Sequence, residues 1–230
     1  DLRMNPLLIS VSNLSWTETG RKNLNNIQET FNRECLVLQP NPNLTRRTSK
    51  ISFEEFGSPT WYWDALGYSF AWRQAINQGI NLLVYGENVS NLYGGKDSEE
   101  TPYAYKQSEN EVVKPEYDRF LKHGITEQEL CSSRMVTGDE AEKAGLVPIY
   151  LSYFIPWDSQ LNADVATRWG FQTLDHEWQR MGTLEHFNQI DTPGYLLNQQ
   201  IKAYKFGTGS ATDIGSRWIR AGLKTREELI

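Results

Sequence analysis

The residues best suited to chemistry stand where an apolar run stops. Asn81 to Gly95 reads NLLVYGENVSNLYGG, and its apolar part gives way at Gly86-Glu87-Asn88 to a Gly-Gly loop. A glutamate carboxylate there offers hard oxygen to a magnesium ion, and an asparagine amide can grip a ribose or phosphate oxygen. Plainer work fits the same spacing equally well: a turn or helix cap for Asn88 and a solvated carboxylate for Glu87. Two other apolar runs end on polar residues of this kind, Ser12-Asn13 after PLLISVS and Pro156-Trp157-Asp158 after the run from Pro148 to Ile155.

Two loops invite a phosphate. Gly94-Gly95-Lys96-Asp97-Ser98 has the Gly-Gly-x-Asp-Ser core of a pyrophosphate loop, in which backbone N–H groups cradle the anion. Its context is against it, because Glu99, Glu100 and Pro102 follow, where such a loop should open a helix free of repelling carboxylates. Lys205-Phe206-Gly207-Thr208-Gly209-Ser210 leads into a helical pattern with Asp213 and with Arg217 and Arg220 about one turn apart, a set suited to a phosphate or carboxylate. A capped surface helix accounts for the same arginines equally well, and Thr225 with Glu228 reads as a capping box.

Other reactive types carry less. His123 reads as a surface residue, and His176 and His186 have no nucleophile or metal partner at a recognisable spacing. Cys35, inside the apolar ECLVLQ, reads as a small buried hydrophobe, and Cys131 has no assigned role. Trp61, Tyr62 and Trp63 read as core or pocket wall.

These residues must be held by strands that alternate with helices. The pattern places strands at Pro6–Ser12, Cys35–Leu38, the apolar part of Asn81–Gly95 and Pro148–Ile155. Helices fall over Leu24–Phe31, Leu44–Phe56, the segment from Trp61 to a stop at Gly79, Phe120–Met135 and Asn162–Trp169. Strands alternating with helices at this spacing predict β-α-β units, an α/β fold with a parallel sheet. Ligands of such sheets bind beyond the carboxyl ends of the strands, so Ser12-Asn13, Gly86-Glu87-Asn88 and Pro156-Trp157-Asp158 are expected to line one rim. Residues 1–95 are expected to be the α/β core, 96–147 a polar insertion, and 148–230 the last core strand with a helical, loop-rich C-terminal part.

The 230 residues carry a formal charge of −6, which argues against a nucleic-acid backbone as the main partner. No apolar run approaches the roughly 20 residues of a membrane span, and two cysteines fit a reducing, cytoplasmic setting.

Taken in order, PLLISV, TETGRKNLNNI, LQPNPN, FGSPTWYWD, LLVYGENVSNLYGG, YLSYFIPWD, HEWQR, NQID and KFGTGSATDIGSRWIRAGLKTREE resemble the N-acetyl sugar amidotransferases of lipopolysaccharide and surface-glycan biosynthesis. The resemblance covers nearly the whole chain. It implies a fold of the adenine-nucleotide α-hydrolase (HUP-like) type and an ATP- and Mg2+-dependent reaction. In it an N-acetyl group of a nucleotide-activated sugar is adenylated and ammonia displaces AMP, leaving an acetamidino group. Ammonia would come from a glutaminase working with a synthase-like subunit. By resemblance and rim position together, Glu87, Asn88 and Asp64 are the expected catalytic residues, with Glu87 holding the metal. Ser12, Asn13 and Gly86 are expected on the nucleotide, and Lys205, Asp213, Arg217 and Arg220 on the phosphates of the sugar nucleotide.

In the family a strand and a Ser-Gly-Gly-x-Asp-Ser loop precede the equivalent of PLLISV, which here lies near the start of the sequence. That loop is expected to be supplied by an upstream segment, to come from a complementary polypeptide bound along an exposed sheet edge, or to be lost together with ATP chemistry; another ATP pyrophosphatase-type amidating or thiolating enzyme is the remaining alternative.

Overall fold

The structure is a computed structural model that describes residues 4–86, 101–109, 116–174 and 184–229. It begins with β1 (Leu8–Val11), α1 (Glu18–Phe31) and β2 (Cys35–Leu38). The two strands pair in parallel with Leu8 opposite Cys35 and Val11 opposite Leu38. Helix α1 starts where the Thr17 hydroxyl accepts the Gly20 N–H, and it ends at Asn32, whose φ of 47° is a left-handed stop. The next helix, α2 (Pro42–Phe56), begins on an asparagine cap with proline in its first turn and closes at Gly57, φ 62°.

Helix α3 (Trp61–Asn77) is the spine of the molecule. Its sequence, WYWDALGYSFAWRQAIN, is apolar around most of its circumference, and Trp61, Tyr62, Ala65, Leu66, Tyr68, Ser69, Trp72 and Ala75 are all buried. One core forms round its first half from Trp61, Tyr62, Ala65 and Leu66, with Val11 and Leu38 packed from the first sheet. A second forms round Trp72 and Ala75, with Leu83 and Tyr85 packed against it from β3 (Leu82–Tyr85). The Trp72 indole donates to the Tyr85 hydroxyl.

After the described stretch at 101–109 come α4 (Tyr117–Lys122), α5 (Glu127–Leu130), α6 (Gly138–Lys143) and β4 (Val147–Tyr150). The single helical segment expected over Phe120–Met135 is two short helices and a one-turn 3-10 helix. Gly124, with φ 76°, separates α4 from the capping box that starts α5 at Thr126. Although this region reads as a polar insertion, Phe120, Ile125 and Leu130 enter the first core and Val136, Ala141 and Leu146 the second.

The strands differ from the expected single sheet. Among the described residues they form two parallel pairs, β1 with β2 and β3 with β4, because β1 and β3 exchange no ladder hydrogen bonds. The outer edge of β4 is covered by a short antiparallel bridge: Ala104 N–H donates to Pro148 O at 2.8 Å and Tyr150 N–H to Pro102 O at 2.9 Å. The fourth strand also stops sooner than its apolar run. Tyr150 lies opposite Tyr85, the last residue of β3, and Leu151 and its successors, which have no ladder partner among the described residues, turn into a 3-10 helix. Tyr153, Phe154 and Ile155 are left exposed.

The chain closes with α7 (Ser159–Arg168), α8 (Pro193–Phe206) and α9 (Ser210–Arg220). Neither α7 nor α8 buries a residue. Among the described residues no helix is long and apolar enough to cross a membrane. The architecture is thus mixed α/β with short parallel strands.

Candidate functional site

The carboxyl end of β1 is the best-built polar region. The chain leaves the ladder after Ser12, whose N–H still donates to Leu38 O at 2.8 Å. Asn13 follows and is buried, with 8% of its surface exposed. Its Oδ1 accepts the Ser15 N–H at 2.9 Å, a tight side-chain turn that aims the chain into α1. The amide N–H groups of Asn13 have no acceptor among the described residues. Beside them the Ser12 hydroxyl accepts from the Trp16 indole at 3.2 Å.

A segment far away in sequence completes this region. Ser15 and Thr192 share a hydroxyl hydrogen bond of 2.6 Å, and the Thr17 hydroxyl donates to Ile190 O at 2.7 Å. The Thr17 N–H donates to Asp191 O at 2.9 Å. The approach is so close that a Cβ on Gly20 would lie 2.8 Å from the Asp191 Cα, which explains the glycine in ETGRK. Burial pushes the Asp191 carboxyl above the usual aspartate range, while a hydrogen bond from its own backbone pulls it partly back.

Thr192 caps α8, and one turn on, Tyr195 donates to Asp64 Oδ1 at 3.0 Å. The Thr60 hydroxyl donates to Asp64 Oδ2 at 2.8 Å and accepts from Asn198 at 3.0 Å. Both carboxylate oxygens of Asp64 are therefore committed to fastening α8 onto the first turn of α3, a positioning role. Packed at the same junction, the Trp63 ring would lie 2.8 Å from a Cβ on Gly194, and its indole N–H is buried without an acceptor.

The first turn of α8 thus brings Ser12, Asn13 and Asp64, which the sequence singles out, into one neighbourhood. Thr192, Tyr195 and the half-buried Asp191 were missed as site residues, although NQID ends on Asp191. Their contacts span well over a hundred residues, and no local pattern encodes such a separation. Gly86 closes β3, with open space where a side chain would stand. Glu87 and Asn88 lie outside the described residues, as do Gly94–Ser98 and His176. Asp158, expected at a strand end, lies eight residues beyond the last residue of β4 and caps α7 by accepting the Leu161 N–H at 2.9 Å.

The four C-terminal candidates meet separate partners. Lys205 donates to Phe56 O at 2.8 Å, and Asp213 pairs with Lys202. The Arg217 guanidinium stands 3.9 Å from Glu185, a buried carboxylate that also accepts from Ser159 at 2.7 Å. Arg220 is exposed. The glycine-serine-threonine loop does feed a helix: Gly207 ends α8 in the left-handed region, and Gly209 begins α9 with no side chain capping its first N–H groups. The Thr225 box forms as read, with its N–H on Glu228 at 2.8 Å.

Among the described residues no group of three or more His, Cys, Asp or Glu side chains is placed to hold a metal ion. Burial raises the pKa of Cys35, which makes it a poor thiolate. His123 sits on the surface against Glu55 at 2.7 Å. Comparison with protein-family models and with curated proteins gives no match for this chain. Fold and site together define an α/β protein with short parallel strands and a polar, hydrogen-bonded cluster at the carboxyl end of its first strand.

Proposed function

We propose that this chain is the nucleotide- and sugar-binding body of an ATP-dependent, ammonia-using amidotransferase that converts an N-acetyl group of a nucleotide-activated sugar into an acetamidino group. The observation that carries the reading is Asn13. An asparagine with 8% of its surface exposed, whose amide N–H groups have no acceptor among the described residues, just past the carboxyl end of a parallel strand, stands where ligands of α/β proteins bind. The ordered resemblance of the sequence motifs supplies the reaction class.

The residues present are compatible with a nucleotide. Asn13 can donate to a ribose or phosphate oxygen, and Ser12 lines the same turn. Asp64, with both oxygens already used, would orient α8 rather than bind a metal, so Mg2+ would fall to Glu87. ATP would supply adenylation of the amide oxygen, turning a poor leaving group into AMP that ammonia can displace. The part of the fold is to hold the sugar's N-acetyl group against the nucleotide and keep water out.

The test is release of AMP and pyrophosphate from ATP, ammonium and nucleotide-activated N-acetyl sugars, in the protein together with a Ser-Gly-Gly-x-Asp-Ser loop segment. Asn13→Ala and Glu87→Ala should each slow release by about tenfold or more. Turnover unchanged by both substitutions would remove this strand end from the mechanism.

A second reading has its own support: this chain is a half that needs a complementary polypeptide for the phosphate loop. Among the described residues, strands β1 and β3 each have a hydrogen-bonded neighbour on one edge, and both pack on the same helix, α3. Leu82 and Val84 of β3 are 48% and 38% exposed. Two-stranded parallel sheets are weak alone, and parallel strands are normally covered on both faces. An added segment carrying a strand and that loop should slow hydrogen exchange at the β1 and β3 amides. Exchange that stays as fast as before would end this reading.

A further inference from the structure

A second candidate binding place lies where the last turns of α3 meet the segment leading into α6. Here a recess of about 400 Å³ opens between Arg73, Ile76 and Asn77 of α3 and Arg134, Met135 and Val136. Its size falls within the range of small-molecule pockets. Its walls divide by character: Ile76, Met135 and Val136 form an apolar side, and the two arginines with Asn77 a donor side.

Both arginines line the recess with donors to spare among the described residues. Arg73 is anchored through one nitrogen, which donates to Arg134 O at 2.5 Å, so its remaining N–H groups stay available. The Arg134 guanidinium has no hydrogen-bond acceptor and no ion-pair partner within 4 Å among the described residues. Their field is felt nearby, since both lower the pKa of Glu140, after the larger effect of the Thr137 backbone and hydroxyl. Glu140 borders the recess and offsets part of their charge from a fixed position. Its Oε2 accepts the Thr137 N–H at 2.8 Å and the Thr137 hydroxyl at 3.1 Å, which holds the carboxylate at the start of α6.

We infer that this recess binds a small ligand carrying a phosphate on an apolar or aromatic body. The two guanidinium groups would hold the oxyanion with charge-assisted hydrogen bonds, and Ile76, Met135 and Val136 would cover the body. The site would be distinct from the β1 strand end and would not depend on the amidotransferase reading.

Calorimetric titration of the full chain with phenyl phosphate and with inorganic phosphate tests the inference. Phenyl phosphate should bind, and about tenfold or more tighter than inorganic phosphate, because only it uses the apolar wall. Arg134→Gln should weaken it by about tenfold or more with an unchanged unfolding midpoint, since Arg134 is exposed and its side chain supports no neighbour. Glu140→Gln should tighten binding by removing the one acidic neighbour. Equal affinity for the two probes, affinity indifferent to Arg134→Gln, or no heat at millimolar phenyl phosphate would each overturn it.

Discussion

Helix α3 and helix α8 are similar in length and cross near the candidate site, yet they are held in opposite ways. Eight residues of α3 are buried, while α8 buries none and leaves Tyr204 and Phe206 82% and 66% exposed. The first is fixed by apolar area, the second by a few directed hydrogen bonds: Asp64 to Tyr195, Thr60 to Asn198 and Lys205 to Phe56 O. Apolar burial is non-directional and sums over many atoms, whereas each polar link contributes about 1 kcal/mol net and fails as a unit when one partner goes. The strand-end site is therefore a seam between a rigid half and a lightly fastened one.

The comparison breaks first at Trp72. It is fully buried, and Trp72→Ala should cost about 3–5 kcal/mol in urea unfolding. A cost under about 1 kcal/mol would deny α3 its place as the spine. Next is Asp64→Ala, which removes the carboxylate that accepts from both the Tyr195 and the Thr60 hydroxyl. It should lower stability by about 1–3 kcal/mol and speed amide exchange in the first turns of α8 more than in α3. Uniform speeding across both helices would mean that α8 is not held at this point.

Asp191 sharpens the picture through pH. Its pKa is raised in the fold by burial, so its contribution is fully present below the ordinary aspartate value of 3.8 and is lost as pH rises through the higher folded value. Asp191→Asn should therefore raise the thermal midpoint at about pH 7 and leave it unchanged at about pH 3. An equal gain at both would show that the carboxyl is not held away from water. The smallest effect belongs to Tyr204→Ser, within about 0.5 kcal/mol by chemical unfolding, because its side chain is exposed.

Much of this was open to reading in the chain itself. Strand β2 lies at Cys35–Leu38 as its apolar run and the following Pro40-Asn41-Pro42 predict, and α2 and α3 occupy the segments their periodicity assigns. Punctuation succeeded because caps are local: Asn41, Gly57 and Gly79 act within a turn of their own position. The fourth strand was read too long, since an apolar run does not say where its partner ends. The C-terminal arginines read as a cluster by spacing, but Arg217 turns toward the buried Glu185 and Lys205 toward the end of α2.

By itself, the sequence determined the alternation of strands and helices, the parallel class, the buried aromatic helix and the polar ends of the strands. Only the tertiary structure decided that the described strands stand as two pairs, that residues 117–146 supply core to both, and that the start of α8 joins Ser15 to Asp64. Periodicity and capping act over a few residues, whereas these arrangements depend on contacts between residues far apart in the chain, such as Thr17 with Ile190 and Asp64 with Tyr195.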